Sequence, residues 1–189
     1  MKILQIGCNN CEDHVFDFVS KNRDSIDFFV VIDALPKCVE TAKTKYSFLG
    51  ERLFAINCAV ADINGILKFF HPENDETCAH ASLLQSHLTT HRHSSLQHIY
   101  VPCFSLNFIL DFFQNSIDRL YIDMEGLDVI TLLSMNFEKN KINYIEYEFI
   151  HSDGSFKSSD KHNSLINLFS KYNYKLEKTS EYNLKAELI

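Results

Sequence analysis

The stretch IDFFVVID, residues 26–33, restricts the fold more than any other part of the chain. Phe28 to Ile32 are all apolar, without the alternation of a strand that faces water on one side. Such a run reads as a strand covered on both faces, and strands of that kind belong to sheets sandwiched between helices. KILQIG (2–7) and IDRLYID (117–123) read the same way, and INYIEYEFI (142–150) is a further strand.

Helical patterns fall between these runs. Val15, Phe16, Phe18 and Val19 form one stripe within 11–22, and Pro36 suits the first turn of a helix through KCVETAKTKY. RLFAINCAV (52–60) is a third strand, and Asn64-Gly65 marks a turn before ILKFF (66–70), as in a hairpin. Residues 71–98 are polar and irregular, a lid or a disordered segment, and IYVPCF (99–104) is an edge strand broken by Pro102. Ser105 caps a helix over 105–115, and Val129, Ile130, Leu132 and Leu133 lie on another. A loop at 151–160 leads to a helix over 160–172, and YKLEKTS and NLKAELI close the chain as an antiparallel pair. The alternation predicts one α/β domain over 1–189, its sheet mostly parallel with an antiparallel end.

Composition narrows the function. With 46 % hydrophobic residues the 189-residue chain can bury a core, and a net charge of −7 argues against a nucleic-acid partner. HLTTHRHSSLQH (87–98) holds many His but one Arg. His80, His87, His91, His93 and His98 read first as solvated loop residues, then as a lid over an acceptor, and last as a transition-metal site. MKILQIGCNN turns polar early, and no apolar run approaches the about 18 residues a membrane span needs, so a cytoplasmic protein is expected. Six irregularly spaced Cys fit a reducing compartment, and the Cys8–Cys11 pair, without a second pair, reads as buried apolar residues.

In open α/β sheets, ligands bind beyond the carboxyl ends of the strands. Gly7, Asp33, Cys58 with Ala59, Asp123 and Glu148 all fall at such ends. Gly7 lets the backbone pass close to a ligand, and Asn9 tolerates the turn that follows. Asp33 ends its strand where dinucleotide folds place a carboxylate on ribose hydroxyls; otherwise it favours the dipole of the next helix. A carboxylate such as Asp123 costs several kcal/mol to bury unless it is paired, binds a cation or opens into a wet cleft. Glu125 and Asp128 lie at the start of the next helix, where capping accounts for Asp128 and partly for Glu125. Glu146 and Glu148 share one face of their strand, and Glu148 is nearer its end.

The pieces LQIGCNN, VVIDALPKCVE, NCAVADINGILKFF, SLNFILDFF, IDRLYIDMEGLDVITL and INYIEYEFIHSDG, in that order, resemble the FkbM family of methyltransferases, which use S-adenosylmethionine (SAM). The resemblance implies a Rossmann-like class I methyltransferase sheet and transfer of a methyl group to a hydroxyl of a small-molecule or carbohydrate acceptor. It places SAM against Gly7, Asn9, Asp33, Ala34, Cys58, Ala59 and Asp123, with the backbone at Cys58 and Ala59 along the adenine. The acceptor must lose a proton, which asks for a base or a Lewis-acid metal. Asp123, Glu148 and His151 are the catalytic candidates. Asp123, Glu125 and Glu148 are oxygen ligands for Mg²⁺ or another divalent cation, and a metal-free site with His151 or Asp123 as base stands beside that reading. Gln5 stands where the family usually has an acid and Asn10 where a second Gly is common, so the alternative is a catalytically inactive methyltransferase-fold binding module. A nicotinamide enzyme is disfavoured because G-x-G-x-x-G is absent. The Pro-broken edge strand and the 16 Phe permit a homodimer.

Overall fold

The computed structural model describes residues 1–73, 80–114, 116–151 and 159–189. Most of the loop expected at 151–160, residues 74–79 of the polar segment and residue 115 lie outside the described residues. β1 (Lys2–Ile6) and β2 (Phe28–Asp33) run parallel, Lys2 opposite Phe28 and Ile6 opposite Ile32. The pleat sorts their side chains by parity. Leu4, Ile6, Val30 and Ile32 enter one apolar layer, and Ile3, Phe29 and Val31 enter the other.

Helices cover both layers, which is why these strands are apolar throughout. α1 (His14–Lys21) and α2 (Pro36–Lys45) supply Val15, Val19, Cys38 and Ala42 to the Phe29 side. Asp13 caps α1 by accepting the Phe16 N–H at 2.9 Å, and Pro36 opens α2. β3 (Leu53–Asn57) pairs with β2 and completes one flank of the main sheet.

The chain then leaves that sheet. β4 (Ala59–Ala61), β5 (Gly65–Pro72) and, beyond α3 (Gln85–Thr90), β6 (Leu96–Ser105) form a second sheet of three strands with β6 in the middle. α4 (Leu106–Phe112), capped by Ser105, leads to β7 (Arg119–Ile122), α5 (Asp128–Leu133), β8 (Tyr144–Glu148) and α6 (Asp160–Lys171). β9 (Tyr174–Lys178) and β10 (Asn183–Leu188) close the chain. α4, α5 and α6 bury Leu110, Leu132 and Phe169 against the Ile32 side.

The main sheet has the order β3-β2-β1-β7-β8-β10-β9, parallel through β8 and antiparallel where β10 meets β8 and β9. This is the expected α/β arrangement with its antiparallel C-terminal hairpin. From β1 the chain builds outward to β3, then resumes at β7 on the other side of β1. The direction of winding therefore reverses between β1 and β7, and the strand ends part there.

Three sequence expectations change. The strand expected at 52–60 breaks, because the Asn57 side chain donates to the Asp33 and Ala34 carbonyls and Cys58 N–H donates to Asp33 O. Residues 59–61 are thereby turned towards β6. The Asn64-Gly65 turn does not close a hairpin between neighbours, since β5 pairs with β6 and Asn64 Oδ1 accepts the Ser105 N–H at 2.7 Å. β6 is an internal strand, not an edge; Pro102 sits one residue before the stretch Cys103–Ser105 that β4 covers. The polar segment also holds α3, docked by Ser82, whose hydroxyl donates to Glu125 O at 2.8 Å. Among the described residues no helix is long and apolar enough to cross a membrane.

Candidate active site

Gly7 continues β1 by donating its N–H to Ile32 O, and Asp123 continues β7 by donating to Ile6 O, both at 2.9 Å. The two backbones meet at the floor of the cleft. Gly7 has φ +79°, and a Cβ there would stand 1.8 Å from the Asp123 carbonyl oxygen. The glycine is thus required first by the neighbouring strand. Asn9 (φ 45°) and Cys11 (φ 55°) continue the left-handed turns of the loop.

That loop folds around Asp33. Its Oδ2 accepts the N–H groups of Cys8 (3.0 Å) and Asn9 (3.2 Å), and Oδ1 accepts that of Leu35 (2.9 Å). Oδ2 also accepts from the Cys8 thiol at 3.6 Å, whereas Oδ1 takes only the Leu35 N–H among the described residues, so the second lone pair of Oδ1 is the position left for a further donor. The Cys8 thiol is held well above its ordinary pKa by contact with Cys11, by burial and by Asp33, so it stays protonated.

The cleft encloses about 280 Å³, near the lower end of the ~300–1,000 Å³ usual for small-molecule sites. Gly7, Asn9, Asp33 and Ala34 line one side of it, Cys58 and Ala59 another, and Asp123 with Glu125 a third. Leu83 and Ala81 of the docked segment line it as well. A side hollow of about 120 Å³ shares Gly7, Asp13 and Asp123 with it.

The three carboxylates of the 123–128 stretch have separate tasks. Asp123 opens into the cleft, yet protein surrounds it; burial, then Glu148 and Asp13, push its pKa up to about 7, against His151 and His14. Glu125 does not join α5: it sits in a left-handed turn (φ 54°) with Oε2 2.8 Å from His87 Nε2. Burial, Asp123 and Glu148 push it up to about 10. Asp128 is the first residue of α5 and reaches back to accept the Met124 N–H at 3.3 Å. Burial, then Asp123 and Glu148, hold its pKa well above the ordinary range.

Glu148 and His151 stand outside the cleft lining, at the end of β8, with Glu148 Oε1 2.9 Å from His151 Nδ1. His87 and His91 meet them there. The rings of His87 and His91 both lie 5.2 Å from that of His151, centroid to centroid. His87 is fully buried, contrary to the expectation of a solvated loop, whereas His98 is exposed. Burial and the neighbouring imidazoles press His87 down to about 3 and His91 down to about 4, so both are neutral near pH 7. Among the described residues, the cluster with donor atoms close enough to hold an ion is His87, His91, Glu125 and His151. Of the expected oxygen ligands only Glu125 belongs to it; Asp123 and Glu148 do not.

Sequence reasoning passed over Asp13. Gln5, buried under α1 and α2, donates to Asp13 Oδ2 at 2.9 Å and accepts from the Tyr46 hydroxyl at 3.3 Å. An acid at position 5 would face Asp13 at that distance, so Gln5 and Asp13 form a matched pair, and Asp13 presents a carboxylate to both hollows. The signal was Asp13 at a helix N-cap directly after the glycine loop.

A pH effect arises beside it. His14 Nε2 lies 3.3 Å from Glu146 Oε1, and this hydrogen bond, opposed by burial, raises the His14 pKa. Burial would raise Glu146, but bonds from His14, Tyr144 and Thr179 outweigh it and leave the pKa lowered. A raised His stabilises the fold fully below its unfolded value of about 6.5 and loses that contribution as pH rises through the folded pKa. A lowered Glu contributes above about 4.3 and loses it as pH falls through the folded pKa. The pair is therefore strongest between about pH 4.5 and 6.5. Thermal melts at about pH 6 and pH 8 should show a larger fall in Tm for the native chain than for His14→Gln; equal falls would remove His14 from the balance.

The description of the methyltransferase FkbM domain matches residues 5–176. No curated protein matches the chain. The crystal structure of methyltransferase FkbM from Methylobacillus flagellatus KT has a TM-score of 0.63 at 11 % identity, over 98 % of this chain and 43 % of that one. The chain thus spans less than half the length of that relative. TrmK of M. capricolum in complex with S-adenosylhomocysteine (TM-score 0.46, 14 % identity) matches 99 % of this chain and 62 % of its own. S-adenosylhomocysteine-bound PaMTH1 of Podospora anserina (0.49, 11 %) matches 100 % and 71 %. With a family match over nearly its whole length and a seven-stranded sheet of the expected order, the chain belongs to the FkbM methyltransferase domain family.

Proposed function

We propose that this chain is a SAM-dependent O-methyltransferase that acts on a hydroxyl of a small-molecule or carbohydrate acceptor. The observation that carries the proposal is that Gly7, Asp33 and Asp123, from three strand ends, border one cleft. The residues fit the nucleoside. Cys58 and Ala59 offer a small apolar wall to a flat base, and the open acceptor position of Asp33 takes one ribose hydroxyl. Asp13 and Asp123 place negative charge around a bound cation.

SAM supplies a methyl group on a positively charged sulfur, which an acceptor oxygen displaces in line. The chain's own work is to hold the reactants and take the proton. Fixing them in line contributes up to ~7–11 kcal/mol of the barrier reduction. Asp123, open to the cleft at its floor, is the group that accepts the hydroxyl proton as the carbon–oxygen bond forms. Glu148 and His151 stand one strand further out, next to each other and outside the cleft lining, and take no part in this proton transfer. We propose no Mg²⁺ site from Asp123, Glu125 and Glu148, because Glu125 turns to His87. Ala81 and Leu83 bring the docked segment to the cleft, so that segment sets acceptor choice. No disulfide joins the described cysteines, which suits a cytoplasmic setting.

Calorimetry with SAM and S-adenosylhomocysteine tests the cofactor part. The native chain should bind both, and Asp33→Ala should bind about 100-fold more weakly or not at all, with its fold checked by circular dichroism. A native chain that binds neither would leave the inactive module.

A further inference from the structure

Donor atoms of His87, His91, Glu125 and His151 lie within 4.8 Å of one another. They come from three separate parts of the chain. His87 belongs to α3 and His91 follows its last turn four residues later, a spacing that puts both imidazoles on one side of a helix. Glu125 follows β7, and His151 follows β8.

The contacts inside the cluster do not close on themselves. His87 Nε2 is 2.8 Å from Glu125 Oε2 without the alignment of a hydrogen bond. Nδ1 of the same buried ring has no hydrogen-bond partner among the described residues. Two donors that crowd together without pointing at each other are aimed at a third point. Gly126 makes the room: with φ +103°, a Cβ there would lie 2.9 Å from His151 O and 3.4 Å from His87 Nδ1.

We propose that His87, His91, Glu125 and His151 form a binding site for one divalent first-row transition-metal ion, with Zn²⁺ its foremost occupant. Three imidazoles and one carboxylate suit that class, whereas Mg²⁺ and Ca²⁺ favour all-oxygen shells. Ligands about 2.0–2.2 Å from a tetrahedral centre stand about 3.3–3.6 Å apart, so the cluster, whose donor atoms lie within 4.8 Å of one another, needs only a modest contraction to close on an ion. Glu148, 2.9 Å from His151 Nδ1, would then stand behind a ligating imidazole, where a small turn of the ring on binding lets the carboxylate orient it and strengthen it as a donor. The ion would pin α3 and its flanks to the ends of β7 and β8. Glu125 also lines the cleft, so the ion would stand at its border. Metal binding is independent of the methyl-transfer reading; a role in polarising the acceptor hydroxyl rests on it.

The test uses the full chain, stripped with a chelator and dialysed against Zn²⁺ alone, with metal content measured by elemental analysis. Co²⁺ titration followed by visible absorption reports the coordination. The native chain should take up one ion, with the intense absorption of low-coordinate Co²⁺, and excess Mg²⁺ should not displace it. His91→Gln and Glu125→Gln, each checked for fold, should bind Zn²⁺ about 100-fold or more weakly, and Glu148→Gln about 10- to 100-fold more weakly. His98→Gln, at an exposed position on β6, should bind as the native chain does. Far less than one ion in the folded native chain, or equal binding by His91→Gln, Glu125→Gln and His98→Gln, would overturn the site. Because the readout is the metal itself, it separates this result from a failure of SAM binding.

Discussion

Gly7→Ala is expected to cost the fold on the order of 4 kcal/mol and to deform the floor of the cleft. Two penalties combine. The left-handed backbone at φ +79° costs a non-glycine residue about 1–2 kcal/mol. The larger part is the collision, since a Cβ 1.8 Å from the Asp123 carbonyl oxygen cannot be absorbed by a side-chain rotation. β1 and β7 must part at their ends, which loosens the Asp123 N–H bond to Ile6 O. Gly50 is the control, because it is also left-handed (φ +58°) but nothing lies within 4 Å of the added atom. Gly50→Ala should therefore cost only about 1 kcal/mol. Urea midpoints compare the two directly; similar losses would mean that the close approach of the strands carries no weight.

Asp123→Asn is the second large effect. If the Asp123 carboxylate takes the acceptor proton, the amide should lower kcat by about 10²–10⁴-fold, the usual worth of a positioned base. SAM affinity should change less, by the loss of one charge near the sulfonium, because Asp13, the loop at 7–10 and Asp33 are untouched. Release of S-adenosylhomocysteine over a panel of sugars and phenols, paired with calorimetry on the same preparations, reads both quantities. An unchanged kcat would remove Asp123 from proton transfer, and a lost affinity with kcat retained at saturation would make it a binding residue instead.

The main sheet was legible because its strands are buried on both faces, and unbroken apolar runs such as Phe28–Ile32 have no other economical explanation. That Gly7, Asp33 and Asp123 border one cleft followed from the same logic, since parallel strands bring their carboxyl ends to one edge. The break after Asn57 was not legible. RLFAINCAV has a continuous β pattern, and what ends the strand is an amide reaching the carbonyls of Asp33 and Ala34. The standing of β6 was hidden for a related reason: Pro102 marks an edge only where a neighbour is needed at that residue, and β4 stops one short of it. The histidines show a third limit. HLTTH has helical spacing, but its polar flanks gave no apolar stripe, and its partners Glu125 and His151 are brought to it only by the folded sheet.

The chain enters the small sheet at Asn57–Cys58 and leaves it at Ser105, and Ser82 docks the segment between them on Glu125. Apart from β4 and the Cys58–Ala59 wall of the cleft, the stretch between those points can vary, by recombination in nature or by a library in the laboratory, without rewriting the strands that carry Gly7, Asp33 and Asp123. Relatives of this chain should therefore diverge in what they accept faster than in how they hold the methyl donor.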